Sequence, residues 1–143
     1  MSLNEKYMNN NDVIFDEDLE FYTSIEVSNN EICVTLSDAL EASEEELTES
    51  YKSQIATFIN SSSIWYEKAA TAIINWAKKE LNIEVNQNNI KLMNIFVLYE
   101  QNEQELYGLQ FRVDFDIEHG CGLKIKGDDF EITEIGDGDV AFC

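Results

Sequence analysis

The stretch Leu109–Gly127, LQFRVDFDIEHGCGLKIKG, decides the fold. Apolar and polar residues alternate as far as Ile117, and a period of two is typical of a β-strand with one buried face. Glycines follow His119, the only histidine of the chain, and they permit a turn. The alternation resumes at Leu123. The stretch therefore predicts two antiparallel strands joined by a turn that holds the histidine.

A β-hairpin is predicted near the start of the chain and a meander near its end. Residues 19–36 alternate apolar and polar side chains around an Asn-Asn turn. Residues 92–100 form a nearly continuous apolar run, which is typical of a central strand, and a further strand begins at Phe130. Together with residues 109–127, these segments predict an antiparallel C-terminal meander.

Two helices are predicted between the hairpin and the meander. Apolar residues recur at spacings of three and four over residues 44–60, and Ser43 and Glu46 fit a capping box. The spacing continues from Trp65 to about Asn82, where lysines in the last turns suit the helix dipole. The stripe of the second helix could form a partner groove, but its spacing favours packing in the core.

The element order predicts an α+β fold with an N-terminal β-hairpin, a two-helix hairpin and a C-terminal antiparallel β-meander. Helices that are grouped, rather than alternating with strands, argue against a doubly wound parallel sheet. We expect them to pack on one face of the sheet. The 143 residues, 44% of them hydrophobic, suit one domain with a substantial core. We expect a disordered N-terminus over residues 1–11 and a single domain over residues 12–143.

The charge of the chain is strongly negative, since 29 acidic residues oppose 9 basic ones and the net charge is −20. The acids concentrate in residues 1–50 and 101–143. Such a field repels nucleic acid and anionic membrane surfaces, so neither is expected as a partner. The field would attract a basic protein or divalent cations, although solubility alone is the commoner reason for an acidic surface.

Three widely spaced cysteines without a CxxC motif predict neither a disulfide framework nor a structural zinc site. The N-terminus is polar and acidic, so no secretory signal is expected. No apolar run approaches the roughly 18 residues of a membrane span. These features predict a cytoplasmic protein. Because nucleotide-binding, hydrolase and metalloprotease motifs are absent from the sequence, we expect no cofactor and no enzymatic activity.

The carboxylates around the histidine are the first candidate site. Three of them stand two residues apart, so on a continuous strand they share one face and could hold Ca²⁺ or Mg²⁺ through oxygen ligands. A solvated face of an acidic protein explains the same pattern. The tentative binding residues, from this segment and from the last loop, are Asp114, Asp116, Glu118, His119, Asp137 and Asp139.

Two further candidates come from residue types alone. His119 and Cys121 could form a nucleophile pair, because side chains two residues apart on a strand point the same way. No motif supplies a third group to orient the histidine, and a glycine-bounded turn explains the same residues. Tyr22, Tyr66 and Tyr107 are expected to be exposed, as in a protein-binding surface.

The segment DIEHGCGL, residues 116–123, resembles the D-x-E-H-G-x-G-hydrophobic segment of small bacterial domains of unknown function. In these domains a strand ends in that segment and a hairpin follows. The tail IGDGDVAF, residues 135–142, resembles the segment that closes such domains. The resemblance covers roughly residues 92–142, and the first half only by element order. An aliphatic residue is expected where Cys121 stands, which argues against catalysis by that thiol.

Similar small acidic α+β proteins often occur beside toxin genes and are proposed as immunity proteins, and the resemblance loosely implies the same role. We therefore expect a non-enzymatic protein-binding domain whose acidic side chains meet a basic, toxin-like partner. The alternative is a domain that binds a divalent metal ion, or is stabilised by one, through Asp114, Asp116 and Glu118. The sequence predicts no particular oligomeric state.

Overall fold

A computed structural model describes residues 8–25, 31–36, 47–99 and 104–142. Within these ranges, six strands form one mixed sheet, and two helices cover one of its faces. The strands are β1 (Glu20–Ser24), β2 (Glu31–Leu36), β3 (Ile90–Val97), β4 (Leu106–Val113), β5 (Cys121–Lys126) and β6 (Ile132–Asp137). The helices are α1 (Glu49–Asn60) and α2 (Ser62–Leu81).

The strands lie in the sheet in their chain order, from β1 at one edge to β6 at the other. Neighbours are antiparallel except β2 and β3, which run parallel with Val34 beside Ile95. The two helices lie between these strands in the chain and form the crossover that a parallel pair requires. The predicted α+β fold, with its hairpin, its two helices and its meander, is confirmed.

The core lies between the helices and one face of the sheet, with an aromatic stack in it. The ring of Phe58 stacks on Trp65 and on Tyr107, with centroid distances of 4.7 Å and 3.8 Å. The indole N–H of Trp65 donates to the Phe58 carbonyl oxygen at 2.6 Å and so links α2 to α1. The packing of the helical stripe in the core is confirmed at Trp65, which is fully buried. Among the described residues, neither helix is long and apolar enough to cross a membrane.

The second face of the sheet is partly covered by the end of the chain. A short 3₁₀ helix, Gly138–Ala141, crosses β4 and β5 where these strands carry Gly108 and Gly122. A Cβ atom at either position would collide with the backbone of this segment, so glycine permits the close approach. The ring of Phe142 then packs on Phe96, with centroids 5.3 Å apart.

The first helix begins later than predicted, at Glu49 rather than at residue 44. The side chain of Thr48 accepts a hydrogen bond from the Tyr51 N–H at 3.1 Å, which caps the helix one residue before its start. The predicted capping box of Ser43 and Glu46 lies outside the described residues.

Residues 8–11 of the N-terminal segment predicted to be disordered lie within the described residues. Met8 is buried, and its N–H donates to Asn60 Oδ1 at 2.8 Å. Asn60 Nδ2 donates back to the Met8 carbonyl at 2.5 Å, so a two-way contact attaches this segment to the end of α1. Residues 1–7 lie outside the described residues.

Candidate functional site

The strand β4 ends at Val113, so the carboxylates that follow it do not lie on a strand. The Asp116 carboxylate accepts the N–H of His119 at 3.2 Å, and the Asp116 carbonyl accepts the N–H of Gly120 at 2.8 Å. These bonds close a turn over residues 114–120, here called the acidic turn, which Gly120 completes at φ 68°. The predicted strand face is therefore wrong, because side-chain bonds to the backbone replace the strand ladder.

The three carboxylates of the acidic turn have different environments. Asn89 donates a hydrogen bond to Asp114 Oδ2 at 3.2 Å, Asp116 pairs with His119, and Glu118 is exposed. Within the described ranges, no three or more His, Cys, Asp or Glu side chains are grouped so that they could hold a metal ion. The turn therefore offers no preformed chelate for the divalent ion considered from the sequence.

Asp116 and His119 form an ion pair at the surface. Nδ1 of His119 lies 3.0 Å from Asp116 Oδ1, and the side chains are 65% and 40% exposed. Asp116 raises the pKa of His119 above its ordinary value of 6.5, and Glu118 and Asp137 add smaller contributions. The hydrogen bonds to His119 in turn lower the pKa of Asp116. The pair orients the imidazole ring, whose Nε2 makes no hydrogen bond to a described residue.

The thiol of Cys121 lies on the helix-covered face of the sheet. Cys121 is paired with Phe111 in the helix-covered core and is fully buried. Burial raises the pKa of the thiol to about 12, with a further contribution from the charge of Asp137. Since the thiolate is the nucleophile, a pair of His119 and Cys121 lacks its reactive form at neutral pH.

The remaining predicted site residues lie beside the acidic turn. The N–H of Gly138 donates to the His119 carbonyl at 2.9 Å, which holds the end of β6 against the turn. The Asp137 side chain accepts the N–H of Asp139 at 3.1 Å and caps the C-terminal 3₁₀ helix. The structure thus brings the tentative residues of both segments to one end of the sheet.

An apolar side chain stands among these charges. Ile117, predicted to face the core from a strand, is 63% exposed, because β4 ends four residues earlier. Its neighbours in the turn are Asp116 and Glu118. An exposed apolar side chain with a charged rim has the composition of a protein-binding contact.

A second polar cluster lies at the opposite end of β4. Tyr107, expected to be exposed, is fully buried, and its hydroxyl lies 2.8 Å from the Tyr99 hydroxyl and 3.0 Å from Glu105 Oε2. The Tyr51 hydroxyl donates to the Tyr99 carbonyl at 2.5 Å. Sequence analysis misses this cluster because its members come from α1, from β4 and from positions just after β3 and just before β4, and no local spacing relates them.

The cluster opens to the surface through a cleft of about 280 Å³. Burial raises the pKa of the Glu105 carboxyl, the bond from Tyr107 opposes the shift, and the charge of Asp128 adds to it. A carboxyl with a raised pKa in a cleft is a candidate for function. The polar residues that line the cleft, with one glycine, are Ser50, Ser53, Gln54, Thr57, Ser61, Glu105 and Gly127.

The resemblance of residues 116–123 to small bacterial domains stays a hypothesis from sequence. The candidate function therefore rests on the geometry of the chain itself. No protein-family model matches this chain, and neither a curated protein sequence nor a solved structure matches it.

Proposed function

We propose that this chain is a non-enzymatic bacterial protein-binding domain that acts in the cytoplasm and holds a basic, toxin-like partner at the acidic turn. The observation that carries the proposal is Ile117, which is 63% exposed between Asp116 and Glu118. Interfaces commonly place an apolar anchor within a polar rim, and a few anchors supply most of the affinity. The free thiols of Cys33 and Cys121 suit a reducing compartment.

The charges around the anchor support a basic partner. The net charge of −20 extends the field of the acidic turn over the chain as a whole. Long-range attraction speeds the encounter with a positive surface, and charge pairing at the turn then orients the partner. The carboxylates at this end of the sheet are Asp114, Asp116, Glu118, Asp137 and Asp139.

The test uses the purified product of the gene next to this one, titrated by calorimetry into the wild type, Ile117→Ser and Ile64→Ser. Ile64 is 56% exposed on α2 and serves as the matched control. We expect Ile117→Ser to weaken binding by about tenfold or more, because loss of an anchor costs about 2 kcal/mol. Raising the salt from about 0.05 M to about 0.5 M should weaken wild-type binding, since exposed charges are screened.

Two results would contradict this proposal: the neighbouring gene product does not bind, or Ile117→Ser and Ile64→Ser bind it equally well. Binding that is independent of salt would contradict the electrostatic part alone. Both variants are expected to keep the wild-type melting temperature, because the two side chains are exposed.

A further inference from the structure

The cleft beside Tyr107 has the form of a small-ligand site. We infer that it binds a primary ammonium group on a short aliphatic chain, from a free amine or a lysine side chain, with Glu105 as the counterion. This inference is independent of the proposed function, because the cleft and the acidic turn lie at opposite ends of β4. A strand of eight residues separates the two sites by roughly 25 Å.

Contacts with Tyr107 and with Gly127 hold Glu105 at the cleft. Glu105 Oε2 accepts a hydrogen bond from the Tyr107 hydroxyl at 3.0 Å, and the Glu105 carbonyl accepts the N–H of Gly127 at 3.4 Å. A Cβ atom at position 127 would collide with this carboxylate, so glycine leaves the space that the carboxylate occupies. The counterion is thereby placed before a ligand arrives, which reduces the cost of binding.

A chain of hydrogen bonds ends at this carboxylate. Among the described residues, the Tyr99 hydroxyl bonds only to Tyr107, whereas the Tyr107 hydroxyl also reaches Glu105 and, at 3.3 Å, the carbonyl oxygen of Gln54. A phenol carries one proton, so with Glu105 ionised Tyr99 donates to Tyr107 and Tyr107 donates to Glu105. This bond satisfies Oε2, and Oε1 makes no hydrogen bond to a described residue.

The walls of the cleft supply hydrogen-bond acceptors. Ser50, Ser53 and Thr57 lie along one face of α1, and their hydroxyls make no hydrogen bond to other described residues. The side-chain amide of Gln54 adds an acceptor oxygen. The described residues that line the cleft include no lysine and no arginine. A cation therefore finds several partners there and no repelling charge.

These features favour a positive ligand with several N–H donors. An anion would be repelled by Glu105, Asp128 and the net charge of −20. A neutral ligand would desolvate the half-buried carboxylate without a counter-charge. A primary ammonium carries three donors, enough for Glu105 and two hydroxyls. A volume of about 280 Å³ admits a chain of a few carbons.

The charge state of Glu105 makes such binding dependent on pH. Burial raises its pKa, and a bound ammonium would lower it, because an opposite charge favours the ionised form. We expect binding to weaken as the pH falls through the pKa of Glu105. The other titratable groups that act on this carboxyl are Tyr107 and Asp128. Burial raises the pKa of Tyr107 and of its partner Tyr99, so both tyrosines stay protonated.

Calorimetry at neutral pH with n-butylammonium and with Nα-acetyl-lysine amide tests the inference. We expect a millimolar dissociation constant for at least the free amine, as suits a ligand of few atoms. If both compounds bind, the cleft accepts lysine side chains as well as free amines. If only butylammonium binds, the cleft accepts free amines alone. Glu105→Gln should weaken binding by about tenfold or more, because it removes the counter-charge and keeps the shape. Glu80→Gln makes the same charge change at an exposed position of α2 and should leave binding unchanged.

Tetramethylammonium has the same charge but no N–H donor, and it should bind at least about tenfold more weakly than butylammonium. The inference is overturned if neither amine binds or if the two glutamine variants weaken binding equally. It is also overturned if tetramethylammonium or Ca²⁺ binds better than butylammonium.

Glu105→Gln is expected to fold, because the ionised carboxylate costs desolvation that the amide avoids. A raised carboxyl pKa means that the folded state holds its proton more tightly, so wild-type stability falls as the pH rises through the folded-state pKa. The melting temperature of Glu105→Gln relative to the wild type should therefore rise between about pH 4 and pH 7.

Discussion

The two ends of β4 carry polar groups in opposite ways. At one end, the acidic turn keeps its carboxylates near the surface, and Asp116 accepts hydrogen bonds from residues three and four positions away. At the other end, Tyr107 is buried, and in its cluster the Tyr51 hydroxyl donates to the Tyr99 carbonyl, 48 positions away. The difference shows that the local chain can organise a surface polar group, whereas a buried one depends on the fold to bring its partners together.

The largest expected contrast between the two ends is in packing. Phe58→Ala should lower the free energy of unfolding by about 3–5 kcal/mol, because the ring is buried between Trp65 and Tyr107. Ile117→Ser in the acidic turn should change it by less than about 0.5 kcal/mol, since that side chain is exposed. Urea unfolding of both variants measures the contrast, and a similar loss in both would show that the turn is part of the core.

A smaller effect is expected from the buried hydroxyl. Tyr107→Phe removes the group that bonds Tyr99 and Glu105, and it should cost about 1–3 kcal/mol, because the Tyr99 hydroxyl loses its partner inside the protein. Tyr22→Phe is the matched control, because Tyr22 is 60% exposed, and it should cost less than about 0.5 kcal/mol. Thermal unfolding compares the two variants. Equal melting temperatures would show that the hydroxyl of Tyr107 does not stabilise the fold.

The smallest effect concerns the protonation of the acidic turn. Asp116→Asn should lower the pKa of His119 towards 6.5, Glu118→Gln should lower it less, and Asp114→Asn should leave it unchanged. Because the folded-state pKa of His119 is raised and that of Asp116 is lowered, any stability from the pair is complete below pH 6.5 while Asp116 is ionised. It is lost as the pH rises through the pKa of His119, and again where Asp116 is protonated. Titration of the single histidine by NMR gives the order of the three variants, and a shift as large in Asp114→Asn as in Asp116→Asn would contradict it.

The strands and helices could be predicted from the sequence because their burial follows local spacing. The alternation in β4 reflects one face packed under the helices, with Leu109 and Phe111 buried and Gln110 half-buried between them. The prediction extended the strand too far because Phe115 and Ile117 continue the same alternation after Asp116 has begun to bond the backbone of the turn.

Other features depend on contacts between distant residues. The parallel pairing of β2 with β3 has no local signal, since it depends on how the helices return the chain to the sheet. The need for glycine at Gly108 and Gly122 also has no local signal, because both residues contact the backbone of the C-terminal 3₁₀ helix. The cleft cannot be predicted from the sequence, because Glu105 follows a polar segment, where a carboxylate is usually solvated.

The parallel pair also bears on the order in which the chain folds. Adjacent antiparallel strands of the meander are joined by short connections, whereas Cys33 and Asn94 are neighbours in the sheet and 61 positions apart in the chain (94 minus 33). Closing a longer loop costs more chain entropy before any contact repays it. We therefore expect the meander from β3 to β6 to form first, and the N-terminal hairpin to join it after α1 and α2 have spanned the gap.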